Sequence, residues 1–179
     1  KITFEGEVAI IQNSFADLGL GLGLAVVLAF LILTPLFRSF RQPLIILFAF
    51  PLGLIGVVFL LWITGTFLSI QAIMGIIMMV GISVSYGNML VDRINTFIQN
   101  GVSKTEAIIN GSSDRFRPVL MTASTTIFGL LPTAIGLSKG SEANVPLALA
   151  VIGGTFMATI LTLFIIPILY SYLGKEKVG

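Results

Sequence analysis

Four small or polar residues, Gly81, Ser85, Asn88 and Asp92, fall at i, i+4, i+7 and i+11 of one stretch of the chain. On an α-helix this spacing puts them on one face. A hydroxyl and an amide aligned in this way can hold water, but no carboxylate lies deep in an apolar run, and Asp92, the nearest, sits at an edge, so these residues by themselves supply no proton site. Ser83 and Tyr86 flank the stripe. Downstream, Thr122, Thr125 or Thr126, Gly129 and Thr133 form a second polar face. Two such faces could line a wet path between helices. The competing account is structural: the hydroxyls bond back to their own helix, and Asn88 bridges two helices. For Asp92, which lies beside Arg93, an ion pair or cap at a membrane edge is an ordinary explanation, and Arg115 and Arg117 read most simply as topology anchors.

Other chemistries are excluded by what the chain lacks. It has no cysteine, so thiolate metal sites are ruled out, and no histidine, the commonest metal ligand and general base. The glycines at 19–23 sit inside an apolar run and cannot form a phosphate loop. No catalytic triad or metal constellation is visible. The expectation is a protein that is not an enzyme, needs no cofactor or metal and binds no nucleic acid.

The elements that must position these residues are apolar. Of 179 residues, 56% are hydrophobic and 10% charged, against about 25% charged in a soluble domain. Mean hydropathy is +1.05. A hydrocarbon core of about 30 Å needs about 20 helical residues, and five segments meet that length: 18–37, 43–63, 68–91, 118–137 and 145–173. The chain therefore reads as an all-α integral membrane protein with five transmembrane helices. Arg38, Arg41, Arg93, Lys104, Arg115, Arg117, Lys175 and Lys177 fall on one side of these spans, and only Lys1 and Lys139 on the other. The basic side is expected to be cytoplasmic. This puts the N-terminus outside and the tail 174–179 inside. An exterior lead that starts at Lys1 and carries Glu5, Glu7 and Asp17 must be delivered by something upstream, so the chain is expected to be part of a longer one.

Within the cytoplasmic segment 92–117, Ser103-Lys104-Thr105-Glu106 reads as a capping box. It opens a short surface helix with Gly111 as its expected stop, and Pro118 is expected near the first turn of the next span. Gly19 and Gly23 in the first span, and Ala150, Gly154, Ala158 and Thr162 in the last, recur every four residues. Small residues at that spacing are expected to serve close helix packing. Pro51 should kink the second span, and Pro167 the last.

Several stretches resemble the C-terminal membrane half of resistance-nodulation-division (RND) transporters, in the hydrophobe/amphiphile multidrug efflux branch. They are Phe37-Arg38-Ser39-Phe40-Arg41-Gln42-Pro43, Gly81-Ile82-Ser83-Val84, Leu90-Val91-Asp92-Arg93-Ile94-Asn95 and Arg115-Phe116-Arg117-Pro118-Val119-Leu120-Met121-Thr122. Gly129-Leu130-Leu131-Pro132 and Val151-Ile152-Gly153-Gly154 also match. The resemblance implies the last five helices of a twelve-helix protein, with 1–17 as the end of a periplasmic region. It implies a homotrimeric, proton-driven inner-membrane pump that works with a periplasmic adaptor and an outer-membrane channel.

The family carries two intramembrane aspartates in the N-terminal half of the same chain. Many members pair them with a lysine, an arginine and a threonine from the half seen here. Arg115 and Thr122 match the last two positions, and Ser85 stands where the lysine would be. The resemblance thus points to Ser85, Asn88, Arg115 and Thr122 as the neighbourhood of a proton relay that works through hydrogen bonds and water. The rival functions are an RND-like lipid exporter, a protein-translocation accessory, and a non-transporting scaffold of the sterol-sensing type.

Overall fold

The computed structural model describes residues 2–137 and 141–173, with side-chain surroundings for 13–137 and 141–172. The elements are α1 (Ile2–Phe37), α2 (Arg41–Leu47), α3 (Ala49–Ile63), α4 (Ile70–Gln99), α5 (Lys104–Ala134) and α6 (Val145–Leu173), with a 3-10 turn at Ser141–Asn144 before α6. No strand occurs among the described residues. Among the described residues four stretches are long and apolar enough to cross a membrane: Asn13–Phe37, Arg41–Ile63, Ile70–Gln99 and Ser141–Tyr172. The expected fourth span, 118–137, is mostly the second half of α5, whose first half carries Lys104, Glu106, Asp114, Arg115 and Arg117. The tail with Lys175 and Lys177, and Lys139, lie outside the described residues.

The second span is broken rather than continuous. α2 ends at Leu47 and α3 starts at Ala49. Pro51 has no N–H for the Leu47 carbonyl, and its ring crowds that carbonyl. α4 is longer than its apolar core and runs on to Gln99. Its start is fixed by Ser69, whose hydroxyl accepts from the Ala72 N–H at 3.3 Å. Gly101, at φ +83°, turns the chain after it, a conformation that glycine adopts without strain.

The segment 92–117 differs from expectation. No short surface helix ends at Gly111, because α5 runs unbroken from Lys104 to Ala134. Ser103 does cap it, accepting from the Glu106 N–H at 3.4 Å and donating to Glu106 Oε2 at 2.9 Å. Gly111 is a crossing point: an added Cβ would stand 2.9 Å from Ile94 Cγ1 and 3.1 Å from Ile94 N on α4. Pro118 falls mid-helix and not in a first turn. It costs α5 one backbone hydrogen bond. Packing of both halves against α4 and α6 carries the helix through.

α6 is the central helix and packs on α3, α4 and α5. In its most apolar window 61% of residues are buried, against 6% in α1, which lies at the periphery of this chain. Small residues let α6 approach its neighbours. Gly56 of α3 and Gly153 of α6 meet so closely that a Cβ on either would strike the other's carbonyl oxygen. A Cβ on Gly154 would strike Met79 and Val57. Ala150 and Ala158 are fully buried on the same helix. Gly19 and Gly23 differ: both are exposed, and an added Cβ at either meets nothing within 4 Å. The contacts expected of them are not made among the described residues.

Candidate functional site

Two faces of α4 divide the labour. Met79, Ser83, Tyr86, Leu90, Val91 and Ile94 are buried against the other helices. The opposite face presents Met74, Met78, Gly81, Ser85 and Asp92 as exposed residues, with Asn88 half-buried among them. Asn88 Oδ1 is nevertheless buried and has no hydrogen-bond partner. The expected bridge from Asn88 to a second helix is therefore not made among the described residues.

Arg115 and Thr122 lie two turns apart on α5 and so share one of its faces. Thr122 is exposed, and Arg115 is half-buried with its Nε buried and unpartnered. The threonine hydroxyls donate to their own helix: Thr122 to Pro118 O at 2.9 Å, Thr125 to Met121 O at 2.9 Å and Thr126 to Thr122 O at 3.0 Å. Back-bonding uses each donor and leaves acceptor lone pairs available. α4 and α5 are joined between these faces by Tyr86, Val119, Ala123 and Leu163, the last from α6. None of Ser85, Asn88, Arg115 and Thr122 is hydrogen-bonded to another, among the described residues. The four are divided between α4 and α5, and no hydrogen bond joins them into one set among the described residues.

Asp92 does not pair with Arg93. Arg93 reaches across to α5 and grips Asp114, with Nε and Nη2 both donating to Oδ2 at 3.0 and 2.7 Å. Its guanidinium also lies 4.9 Å from the Phe97 ring centre. The two side chains are 38% and 44% exposed, so the pair contributes at most about 1 kcal/mol. Its role is to fix the α4–α5 crossing. Asp92 lies seven residues before the end of α4, exposed, and its carbonyl accepts from the Thr96 hydroxyl at 2.9 Å.

One polar cluster escaped the sequence reading. Gln42 of α2, Asn95 of α4 and Tyr170 of α6 meet on the basic side of the bundle. Tyr170 is almost wholly buried and donates to Asn95 Oδ1 at 2.5 Å. Gln42 Nε2 donates to Asn95 Oδ1 at 3.0 Å and lies 3.4 Å from the Tyr170 hydroxyl. Nearby, Lys104 Nζ donates to the Ser171 carbonyl at 2.8 Å and ties the start of α5 to the end of α6. The signal was a polar residue near the end of each of three apolar runs; which ones meet is a tertiary fact.

A bundle of long apolar helices with polar side chains inside its spans defines a segment of a multi-pass membrane protein. The chain belongs to the AcrB/AcrD/AcrF family of the RND superfamily, whose sequence pattern matches residues 1–174. It is 39% identical over 173 residues, 96% of its length, to the swarming motility protein SwrC of Bacillus subtilis strain 168, and covers 16% of that protein. It is 34% identical over 177 residues, 98% of its length, to the multidrug resistance protein MdtC of Erwinia tasmaniensis, of which it covers 17%. A crystal structure of a heavy metal efflux pump superposes with a TM-score of 0.82 at 34% identity, over 92% of this chain and 16% of the pump. The chain thus spans about a sixth of the length of the relatives it matches.

Proposed function

We propose that this chain is the C-terminal membrane part of a proton-driven RND efflux pump that exports drugs or other amphiphiles. The observation that carries the reading is a pair of buried polar atoms without partners, Asn88 Oδ1 on α4 and Arg115 Nε on α5. They accompany a face of α4 on which Gly81, Ser85 and Asp92 are exposed among the described residues. Buried polar groups are normally hydrogen-bonded, and one inside a span, as Asn88 is, marks an ion path by default; Arg115 stands at the edge of the next span. A carboxyl group on a helix of the remaining half would answer both atoms. Ionised, it accepts from Arg115; protonated, it donates to Asn88 Oδ1. Ser85 adds a hydroxyl that can donate and accept, where a lysine would add a fixed charge.

The same reading makes 18–173 a five-span bundle in the bacterial inner membrane. The lead 1–17 is then periplasmic, and the segment 92–117 and the tail 174–179 cytoplasmic. Eight of ten Lys and Arg on one side support that sidedness. The working unit would be a homotrimer of the full chain with a periplasmic adaptor and an outer-membrane channel.

Metal-cation export is a second reading, favoured by the likeness to the heavy metal efflux pump. The described residues hold no group of three His, Cys, Asp or Glu side chains able to bind a metal. Cargo selection would then fall to other parts of the protein.

The test is Asn88→Leu in the full-length protein, with proton uptake and cargo efflux measured in vesicles. Proton-coupled efflux should fall while expression and trimer formation persist, because one intramembrane hydrogen bond is worth only about 0.6–2 kcal/mol. Undiminished coupling would reduce the stripe to packing. Running the assay with an amphiphilic dye and with a divalent metal alone separates the two cargoes.

A further inference from the structure

A cleft of about 290 Å³ opens between α5 and α6, lined by Ser112, Ser113, Phe116, Arg117, Leu163 and Phe164. Three of its lining residues are polar and three apolar, and most of its surface is apolar. Arg117 is exposed and makes no hydrogen bond or ion pair among the described residues. The Ser112 hydroxyl is buried and has no partner among the described residues, although a mid-helix serine commonly bonds back to its own helix. The carboxylates nearest in sequence do not compensate Arg117: Asp114 is held by Arg93 and Glu106 by Ser103. Opposite this polar group, Phe116 is 46% exposed and Phe164 63%.

The level of the cleft follows from helix length. About 20 residues cross the hydrocarbon core, so a span that starts at Val145 reaches the far boundary near Ile165. Leu163 and Phe164 are at that boundary, and the antiparallel α5 brings Ser112–Arg117 alongside. A free guanidinium and two hydroxyls therefore sit at headgroup depth, directly beside apolar surface.

We propose that this cleft binds one anionic phospholipid. The phosphate takes the Arg117 guanidinium and the serine hydroxyls, and an acyl chain lies over Phe116, Leu163 and Phe164. Basic pockets between membrane helices on the cytoplasmic side suit such headgroups. A free anion would leave the apolar half of the lining exposed to water. A transmembrane helix, about 10 Å across, needs a broader groove.

The test uses the full-length protein in phosphatidylcholine nanodiscs that contain a phosphatidylglycerol with a diazirine in its acyl chain. After illumination, crosslinks are mapped by peptide mass spectrometry. Crosslinks are expected in the peptides holding Phe116 and Phe164. Unlabelled phosphatidylglycerol should suppress them, and phosphatidylcholine or inorganic phosphate should not. Arg117→Gln should lower labelling about fivefold, the weight of one basic residue at an anionic surface, and Arg117→Lys should keep most of it. Equal labelling by a phosphatidylcholine carrying the same diazirine, displacement by inorganic phosphate, or no labelling of these peptides would each overturn the proposal. Capture of a copurifying membrane protein by the cleft peptides would overturn it in favour of a protein partner. The headgroup comparison on unmutated protein decides the matter even if Arg117→Gln fails to fold.

Discussion

Gln42 and Asn95, 53 positions apart, exchange both amide hydrogen bonds, Nε2 to Oδ1 at 3.0 Å and Nδ2 to Oε1 at 3.1 Å. Tyr170 closes the group from a third helix. The lock holds α2 to α4 and α6 on the basic side, while the break at Phe48 lets α3 pack on α6 along its own line. Asn95→Leu removes both Gln42–Asn95 bonds and the acceptor of the Tyr170 hydroxyl, leaving only the 3.4 Å contact between Gln42 Nε2 and Tyr170. It should cost the full-length protein about 1–3 kcal/mol, two or more interhelical bonds at about 0.6–1.7 each. Tyr170→Phe, which removes one donor, should cost about 0.6 kcal/mol. Thermal unfolding in detergent measures both, and equal midpoints for all three proteins would show that the network adds nothing.

Gly154→Leu should destabilise the bundle, because the side chain enters space held by Met79 and Val57. Gly111→Leu should do the same at the α4–α5 crossing, where Ile94 fills the space. Overpacking of this kind costs about 1–3 kcal/mol. Lower yield and a lower unfolding midpoint are expected for both, and unchanged values at either site would mean that its helix pair is not in contact in the full protein.

Ser85→Lys tests what faces α4. If carboxylates stand opposite, the ammonium gains a partner, and trimer yield and proton uptake should be kept. Without them, an unpaired charge in the bundle costs about 2.5–3.5 kcal/mol, and the folded protein should be lost. Trimer retention is the expected result, read by size-exclusion chromatography and proton uptake together.

Sidedness is open to labelling. Asn100 and Ala143 are exposed in the two turns that flank α5. The proposed topology has Asn100→Cys protected from an impermeant thiol reagent in intact cells, and Ala143→Cys reactive. The reverse pattern would invert the orientation; the chain has no native cysteine to confuse the reading.

The sequence by itself determined the features whose causes are local. Long apolar runs predict spans because the cost of a backbone in hydrocarbon depends on length and composition alone. Ser103 before Glu106 marks a helix start because a capping box is complete within four residues. Pro51 announces its break for the same reason. The motifs around Asp92 and Arg115 pointed to the family that residues 1–174 match. What only the tertiary structure decided are the contacts that sequence distance hides. Gly111 reads locally as a helix stop, yet it is the place where α5 meets Ile94, and packing there carries the helix on through Pro118. Arg93 sits beside Asp92 in the chain, but successive helical residues point about 100° apart, and Asp114 on the facing helix takes the ion pair. Gly19 and Gly154 are both glycines in a four-residue spacing, and among the described residues Gly154 meets Met79 and Val57 while Gly19 meets nothing. Spacing fixes which residues share a face; the fold fixes what that face meets.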